Sequence, residues 1–345
     1  MKIGELFAGI GGLGLGASWA LGGRVAWQVE HDPAVCRVLR VRSAAGCSVV
    51  EGDVRDNGAA TLEPVDLLCG GFPCQDLSVA GRRAGIEGER SGLYREMLRI
   101  VGELRPGAVL VENVPALMKC RATIDDAFAA LGYRTRWEQV SALEAGAPHR
   151  RRRVFVLALR GDAPELARKW PGSAWTPSGD ATLWPPPTIK GGHNRSGLSP
   201  ASGDGLETAV RPWPTPCARD YRSGANNAYQ ARRSGTPGLC DAVLGRLDPA
   251  WVETLMGLPI GWTDPDVDIG EADALHALDR PRWPAGWVRE SPDRGPQHEW
   301  EPPRVMTGRP MKGRPARLRQ LGNAVVPAQA ALALGQLLGS PGVGK

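Results

Sequence analysis

At 345 residues the chain is long enough for one large domain with a full core and a second, smaller lobe. No uncharged apolar run approaches the ~20 residues of a membrane-spanning helix, and the first residues enter strand-like sequence without a signal-peptide pattern, so a cytoplasmic protein with no membrane attachment is expected. Seven scattered cysteines without a C-x-x-C pair argue against a disulfide framework or a metal site and leave a free reactive thiol permitted, while a net charge of +5 suits a polyanionic partner without demanding one. Only six of the 42 basic residues are lysine. That bias fits contacts to phosphate and guanine, and a GC-rich gene would give it too.

In chain order, Leu6-Phe7-Ala8-Gly9-Ile10-Gly11-Gly12-Leu13-Gly14 is a glycine-rich turn between a short apolar strand and a helix expected to end near Leu21. Gly9, Gly11 and Gly14 satisfy G-x-G-x-x-G, and Glu30, 21 positions after Gly9, closes the strand-like Val25-Ala26-Trp27-Gln28-Val29. Such a set reads as a nucleoside-cofactor site, with no power to separate NAD from S-adenosylmethionine. A helix over residues 33–45 leads to a third strand ending at Glu51-Gly52-Asp53-Val54. Asp53 there suits either an adenine amine or a helix N-cap.

The buried-looking run Val65-Asp66-Leu67-Leu68-Cys69 ends in Gly70-Gly71-Phe72-Pro73 and then presents Cys74. Glycines and a proline hold a thiol at the carboxyl edge of a sheet, where open α/β folds bind ligands and where a cysteine can do covalent chemistry. Residues 76–92, rich in glycine, serine and charge, read as a loop able to close over a substrate. A helix over 93–104 and a buried strand, Ala108-Val109-Leu110-Val111, bring Glu112 to the same edge as a proton-handling candidate. Four arginines, Arg150 to Arg153, run into Val154-Phe155-Val156-Leu157, and alternation puts Arg151 and Arg153 on one side.

Beyond residue 160 the composition shifts: 24 of the 30 prolines and nine of the 12 tryptophans lie in 161–345. Loops there carry Arg219, Arg222, Arg232 and Arg233, candidates for phosphate and base contacts. Residues 263–318 read as a loosely ordered linker. Arg319-Gln320-Leu321-Gly322-Asn323-Ala324-Val325 opens an Ala/Leu-rich helix that should dock back on the first domain.

With these residues in place, the chain resembles the DNA (cytosine-5)-methyltransferase family. The glycine turn, Gly71-Phe72-Pro73-Cys74-Gln75, Glu112-Asn113-Val114, the arginine strand and Gln320-x-Gly322-Asn323-Ala324-Val325 occur in that family's order, covering about 1–160 and 318–335, with a weaker match at 247–262. His149, in place of the usual glutamine, and Ala250-Trp251, in place of an Arg-Glu pair, depart from the pattern. The resemblance implies an α/β fold: a Rossmann-like S-adenosylmethionine-dependent methyltransferase domain with a mixed, mostly parallel sheet (1–160 plus 319–345), beside a smaller, irregular target-recognition domain (161–262).

It implies S-adenosylmethionine as cofactor, held by Phe7, Gly9, Gly11, Glu30, His31, Asp53, Val54, Pro73 and Asn323, and double-stranded DNA as partner, met by Gln75, Ser78 and Arg90. A monomer that needs no metal is expected. Cys74 would add to C6 of an extruded cytosine, Glu112 would serve N3, and Arg153, helped by Arg151, would face O2. A tRNA methyltransferase of the same fold, an NAD-dependent oxidoreductase and an inactive DNA-binding module are the rival readings.

Overall fold

The structure, a computed structural model, describes residues 1–73, 92–161, 213–222, 238–243, 245–269, 301–306 and 311–339. Seven strands, β1 (Lys2–Leu6), β2 (Arg24–Glu30), β3 (Ser48–Glu51), β4 (Leu67–Gly70), β5 (Ala108–Asn113), β6 (Tyr133–Ser141) and β7 (Arg152–Arg160), form one sheet in the order β3-β2-β1-β4-β5-β7-β6. β7 alone runs against its neighbours, β5 and β6. The rest is a parallel ladder, as the expected Rossmann-like fold requires.

Parity along the strands sorts the core. Leu67 and Cys69 of β4, Ala108 and Leu110 of β5, and Phe155 and Leu157 of β7 enter one cluster. Their neighbours Leu68, Val109, Val111, Val154 and Val156 enter the cluster on the other face. Strands buried on both faces need helices on both, and they have them. Helix α1 (Gly12–Leu21) covers the first face and α3 (Gly92–Leu104) and α4 (Arg121–Ala130) the second.

The chain runs outward through β2, α2 (Pro33–Arg42) and β3, then crosses back to β4 and proceeds the other way. The carboxyl ends of β1 and β4 therefore flank a switch point, the place where open α/β sheets form a crevice.

The C-terminal segment closes this crevice. Helices α7 (Arg314–Asn323) and α8 (Pro327–Gly339) follow the short α5 (Leu239–Val243) and α6 (Pro249–Leu255). α8 lies against α1 as expected, and the approach is backbone to backbone: a Cβ on Gly12 would stand 2.2 Å from the Val325 carbonyl oxygen, and one on Gly16 2.3 Å from that of Pro327.

Most of the segment 263–318, expected as a loose linker, lies outside the described residues. The described parts of 263–318 are packed rather than loose. Thr263, Glu301, Arg314 and Leu318 are buried, and α7 begins at Arg314, behind an N-cap at Gly313 with φ 78°, not at Arg319. These polar residues have partners inside: Arg317 meets the buried carboxylate of Glu253 at 2.9 Å, and Arg314 donates to the Leu247 carbonyl at 2.8 Å. Around them Trp213, Trp251, Trp262 and Leu247 form a third cluster with Trp19 of α1 and Leu321 of α7. Trp251, at the departure Ala250-Trp251, is wholly buried, meets Trp213 edge to face and donates its ring N–H to Glu301 at 2.6 Å.

Candidate active site

A cavity of about 720 Å³ opens at the switch point. Its floor on the β1–β3 side is made by the glycine turn. Phe7 and Gly9 both adopt positive φ, 54° and 53°, and a Cβ on Gly9 would meet nothing within 4 Å, so bare backbone faces the cavity. Glu30 braces this turn: Oε2 accepts the Gly9 N–H at 2.9 Å, while Oε1 accepts the backbone N–H groups of His31 at 2.9 Å and Asp32 at 3.0 Å. A carboxylate has about four acceptor positions, so Oε2 keeps one for a hydroxyl.

His31 is exposed beside Glu30, its Nδ1 3.0 Å from Oε1. Asp53 caps a short 3-10 turn, Val54–Asp56, through the Arg55 N–H at 2.9 Å, and still lines the cavity, so the two uses open for it are compatible. Gly11, at φ 84°, caps α1 at the edge of this turn and is not among the residues lining the cavity.

The β4–β5–β7 side carries different chemistry. Gly71 runs past Glu112, whose Oε2 would lie 3.2 Å from an added Cβ. Asn113 donates to the Phe72 carbonyl at 3.1 Å and so fixes the segment that leads through Pro73, a cavity-lining residue, to position 74. Asn113 stood in the quoted motif without a role, and only the three-dimensional contact supplies one.

Glu112 pairs with Phe155 across the antiparallel ladder, and Arg153, two residues before Phe155, points to the same face. Their side chains meet at 2.8 Å, Arg153 Nε to Glu112 Oε1. Burial pushes the Glu112 carboxyl above its ordinary 4.5, against the opposing pull of Arg153 and Arg151. It thus holds its proton to higher pH than a surface glutamate would.

Arg151 lines the cavity but is largely committed elsewhere. Its guanidinium donates to the carbonyls of Pro216 and Gly322, each at 3.2 Å, and to that of Ala324. It joins three chain segments as well as lining the cavity in which the resemblance gives it a share in the reaction. His149, the other departure in this stretch, is fully buried with Nε2 3.1 Å from the Leu255 carbonyl oxygen. Burial drives its pKa down to about 3, so it is a neutral donor inside the structure.

Asn323 lines the cavity from α7. So do Arg319 and Gln320, which the sequence motif contained without assignment. Cys74, Gln75, Ser78, Arg90, Arg232 and Arg233 lie outside the described residues, as do residues 76–91 of the expected closing loop. Arg219 is exposed on the 213–222 segment, and Arg222 ends a 3-10 turn there.

A family model described as C-5 cytosine-specific DNA methylase matches residues 1–186. Among curated proteins the chain is similar to the Type II methyltransferases M.NgoMIV of Neisseria gonorrhoeae (36% identity over 172 residues, 48% of this chain and 54% of that one) and M.Eco47II of Escherichia coli (37% over 178, 49% and 42%). The chain spans about half the length of the curated relatives it matches. Among solved structures it is similar to the S. pombe Dnmt2 methyltransferase, with a TM-score of 0.52 at 15% identity over 98% of each chain. A candidate DNA modification methyltransferase encoded within an E. coli prophage gives 0.53 at 21% over 99% of this chain and all of that one. Both structures speak for the fold.

Proposed function

The chain belongs to the C-5 cytosine-specific DNA methylase family, and from that premise we propose that it methylates C5 of a cytosine extruded from double-stranded DNA. The observation that carries the proposal is the division of one cavity into two chemistries. Bare glycine backbone and Glu30 line the β1–β3 side, and the buried Glu112–Arg153 pair, with the segment from Gly71 to Pro73, lines the other.

The first side fits a nucleoside cofactor. Phe7, Gly9, Glu30, His31, Asp53, Val54, Pro73 and Asn323 would hold S-adenosylmethionine, which when bound supplies the methyl group. Open space over Gly9 and the spare acceptor of Glu30 suit a ribose.

On the second side the chain's own residues raise the nucleophilicity of C5. Cys74 as thiolate bonds to C6, and the electron pair displaced from the C5–C6 double bond moves into the ring, leaving an enamine that is nucleophilic at C5. Negative charge builds toward N3 and O2. Glu112, whose proton burial holds to higher pH than at the surface, donates at N3, and Arg153 stabilises the developing charge at O2. Once C5 carries its methyl group, a water acting as base takes the C5 proton, the C–H electron pair re-forms the C5–C6 double bond, the S–C6 bond breaks to return Cys74 as thiolate, and N3 gives its proton back to Glu112.

The base must leave the duplex to reach this depth. The recognition role of 161–262, with Arg219, Arg222, Arg232 and Arg233 toward DNA, the contacts of Gln75, Ser78 and Arg90, and action as a cytoplasmic monomer belong to the same proposal.

Methylome sequencing of DNA from cells expressing the protein, beside a Cys74→Ala control, tests the reaction and finds the site. Methylated cytosines in one motif, absent from the control, are expected, with cofactor affinity nearly unchanged in the variant. Preserved turnover in Cys74→Ala, or methylation of tRNA in place of DNA, would refute the reading.

A further inference from the structure

The arginines of α7 divide by face. Arg314 and Arg317 turn inward, Arg314 donating to the Leu247 and Tyr221 carbonyls and Arg317 pairing with Glu253 and Asp264. Arg319 is exposed, lines the cavity on the same helical face as Asn323 four residues on, and has no ion-pair partner among the described residues.

Its guanidinium is nevertheless held in place. Arg319 Cζ stands 4.8 Å from the centroid of the Tyr221 ring, a cation–π seat that leaves the N–H edge free to donate. The seat is itself fixed. The Tyr221 carbonyl accepts from Arg314 Nη1 at 3.2 Å, and the segment bearing it presses so closely on α7 that a Cβ on Gly322 would stand 2.0 Å from the Ala218 nitrogen.

Of the arginines lining the cavity, Arg55 pairs with Asp53 at 3.0 Å, Arg153 pairs with Glu112 at 2.8 Å and Arg151 donates to backbone carbonyls, which leaves Arg319, among the described residues, with its charge uncompensated. An anion entering with the substrate is therefore drawn to Arg319. A nucleotide that places its base against Glu112 and Arg153 leaves its two flanking phosphates toward the solvent, where an unpaired guanidinium fork matches them.

We propose that Arg319, seated on Tyr221, binds a backbone phosphate beside the extruded cytosine, so that α7 grips the DNA as well as closing the cavity. The proposal rests on the DNA-methylating reading. It makes Arg319 a substrate-binding residue, and the carboxylate of the methyl donor is the competing anion.

The test uses the full chain and duplexes bearing the motif found by methylome sequencing. KM for DNA, KM for S-adenosylmethionine and the salt dependence of DNA binding are measured for wild type, Arg319→Gln, Arg319→Lys and Tyr221→Leu, on normal duplex and on duplex with a neutral methylphosphonate at either phosphate flanking the target. Arg319→Gln should raise KM for DNA roughly tenfold and lower the salt slope by about one, with KM for the methyl donor unchanged. Arg319→Lys should restore much of the loss, and Tyr221→Leu should show an intermediate loss. One methylphosphonate should weaken wild type and leave Arg319→Gln unaffected.

Equal methylphosphonate losses in both proteins, or an altered KM for the methyl donor instead of DNA, overturn the assignment while leaving DNA methylation standing. A wild type that methylates no DNA overturns the parent reading and this one with it.

Discussion

Beneath the glycine turn, Glu5 of β1 is buried, with Oε1 accepting the Gly14 N–H at 2.9 Å and Oε2 the Gln28 side-chain amide at 2.7 Å. Burial outweighs these two bonds and raises its pKa from 4.5 to about 7. The folded state therefore binds a proton that the unfolded chain has already lost, and Glu5 stabilises fully below pH 4.5. That contribution falls away as pH rises through 7.

At about 1.4 kcal/mol per pH unit of displacement, the loss between pH 4.5 and 7 is about 3 kcal/mol. His149 works against it. Its folded pKa of about 3, set by burial against an ordinary 6.5, makes stability rise with pH up to 6.5. The wild-type profile is thus a difference of two slopes and is uninformative alone. Comparison with Glu5→Gln at each pH removes the histidine. Urea denaturation at pH 5, 6, 7 and 8 should show the variant gaining about 2 to 3 kcal/mol on wild type across that range, whatever constant offset the altered hydrogen bond adds. A difference that stays flat with pH refutes the placement of a titrating carboxyl under the turn.

Glu112→Gln should lower turnover by about 10²- to 10⁴-fold with cofactor affinity unchanged, measured by methyl transfer and by calorimetry. In the proposed reaction Glu112 donates at N3, and burial holds its proton to higher pH than at the surface, so wild-type turnover should fall on the alkaline side as that proton is lost; an alkaline limb that persists unchanged in the variant counts against the role. Arg317→Met leaves Glu253, wholly buried, without its cation, so unfolding in urea should show a loss of about 3 kcal/mol; less than 1 kcal/mol would mean that the pair is not internal.

What was legible in the sequence is local. Runs such as Leu67-Leu68-Cys69 and Ala108-Val109-Leu110-Val111 declare buried strands, and the residue closing a parallel strand must stand at the sheet's carboxyl edge, so Glu30, Pro73 and Glu112 reach one cavity. The glycine turn and α1 follow from the same local rules. What was not legible depends on distant partners. Spacing placed Gly11 in the cofactor turn without announcing that its positive φ also caps α1. Alternation placed Arg151 with Arg153, but nothing near residue 151 announces the carbonyl of Gly322, 171 residues away, that claims its guanidinium.

That last case bears on the arginine bias as a whole, for which DNA contact and gene composition were the two readings. Arg42, Arg151, Arg314 and Arg317 are at most 7% exposed. Arg42 donates to four backbone carbonyls, those of Gly261, Trp262, Asp264 and Val267, and so fastens α2 to the loop after α6. A guanidinium can do this because its several N–H groups fan out in one plane, and an irregular, proline-rich segment offers carbonyls that no helix or sheet has used. Lysine, a point charge with a strongly hydrated head, would bury at greater cost in those places. Part of the excess of arginine over lysine is therefore the internal framework of the second half of the chain. Arg319 and Arg219 are left exposed by the fold, and the proposed DNA contact draws on arginines of that kind.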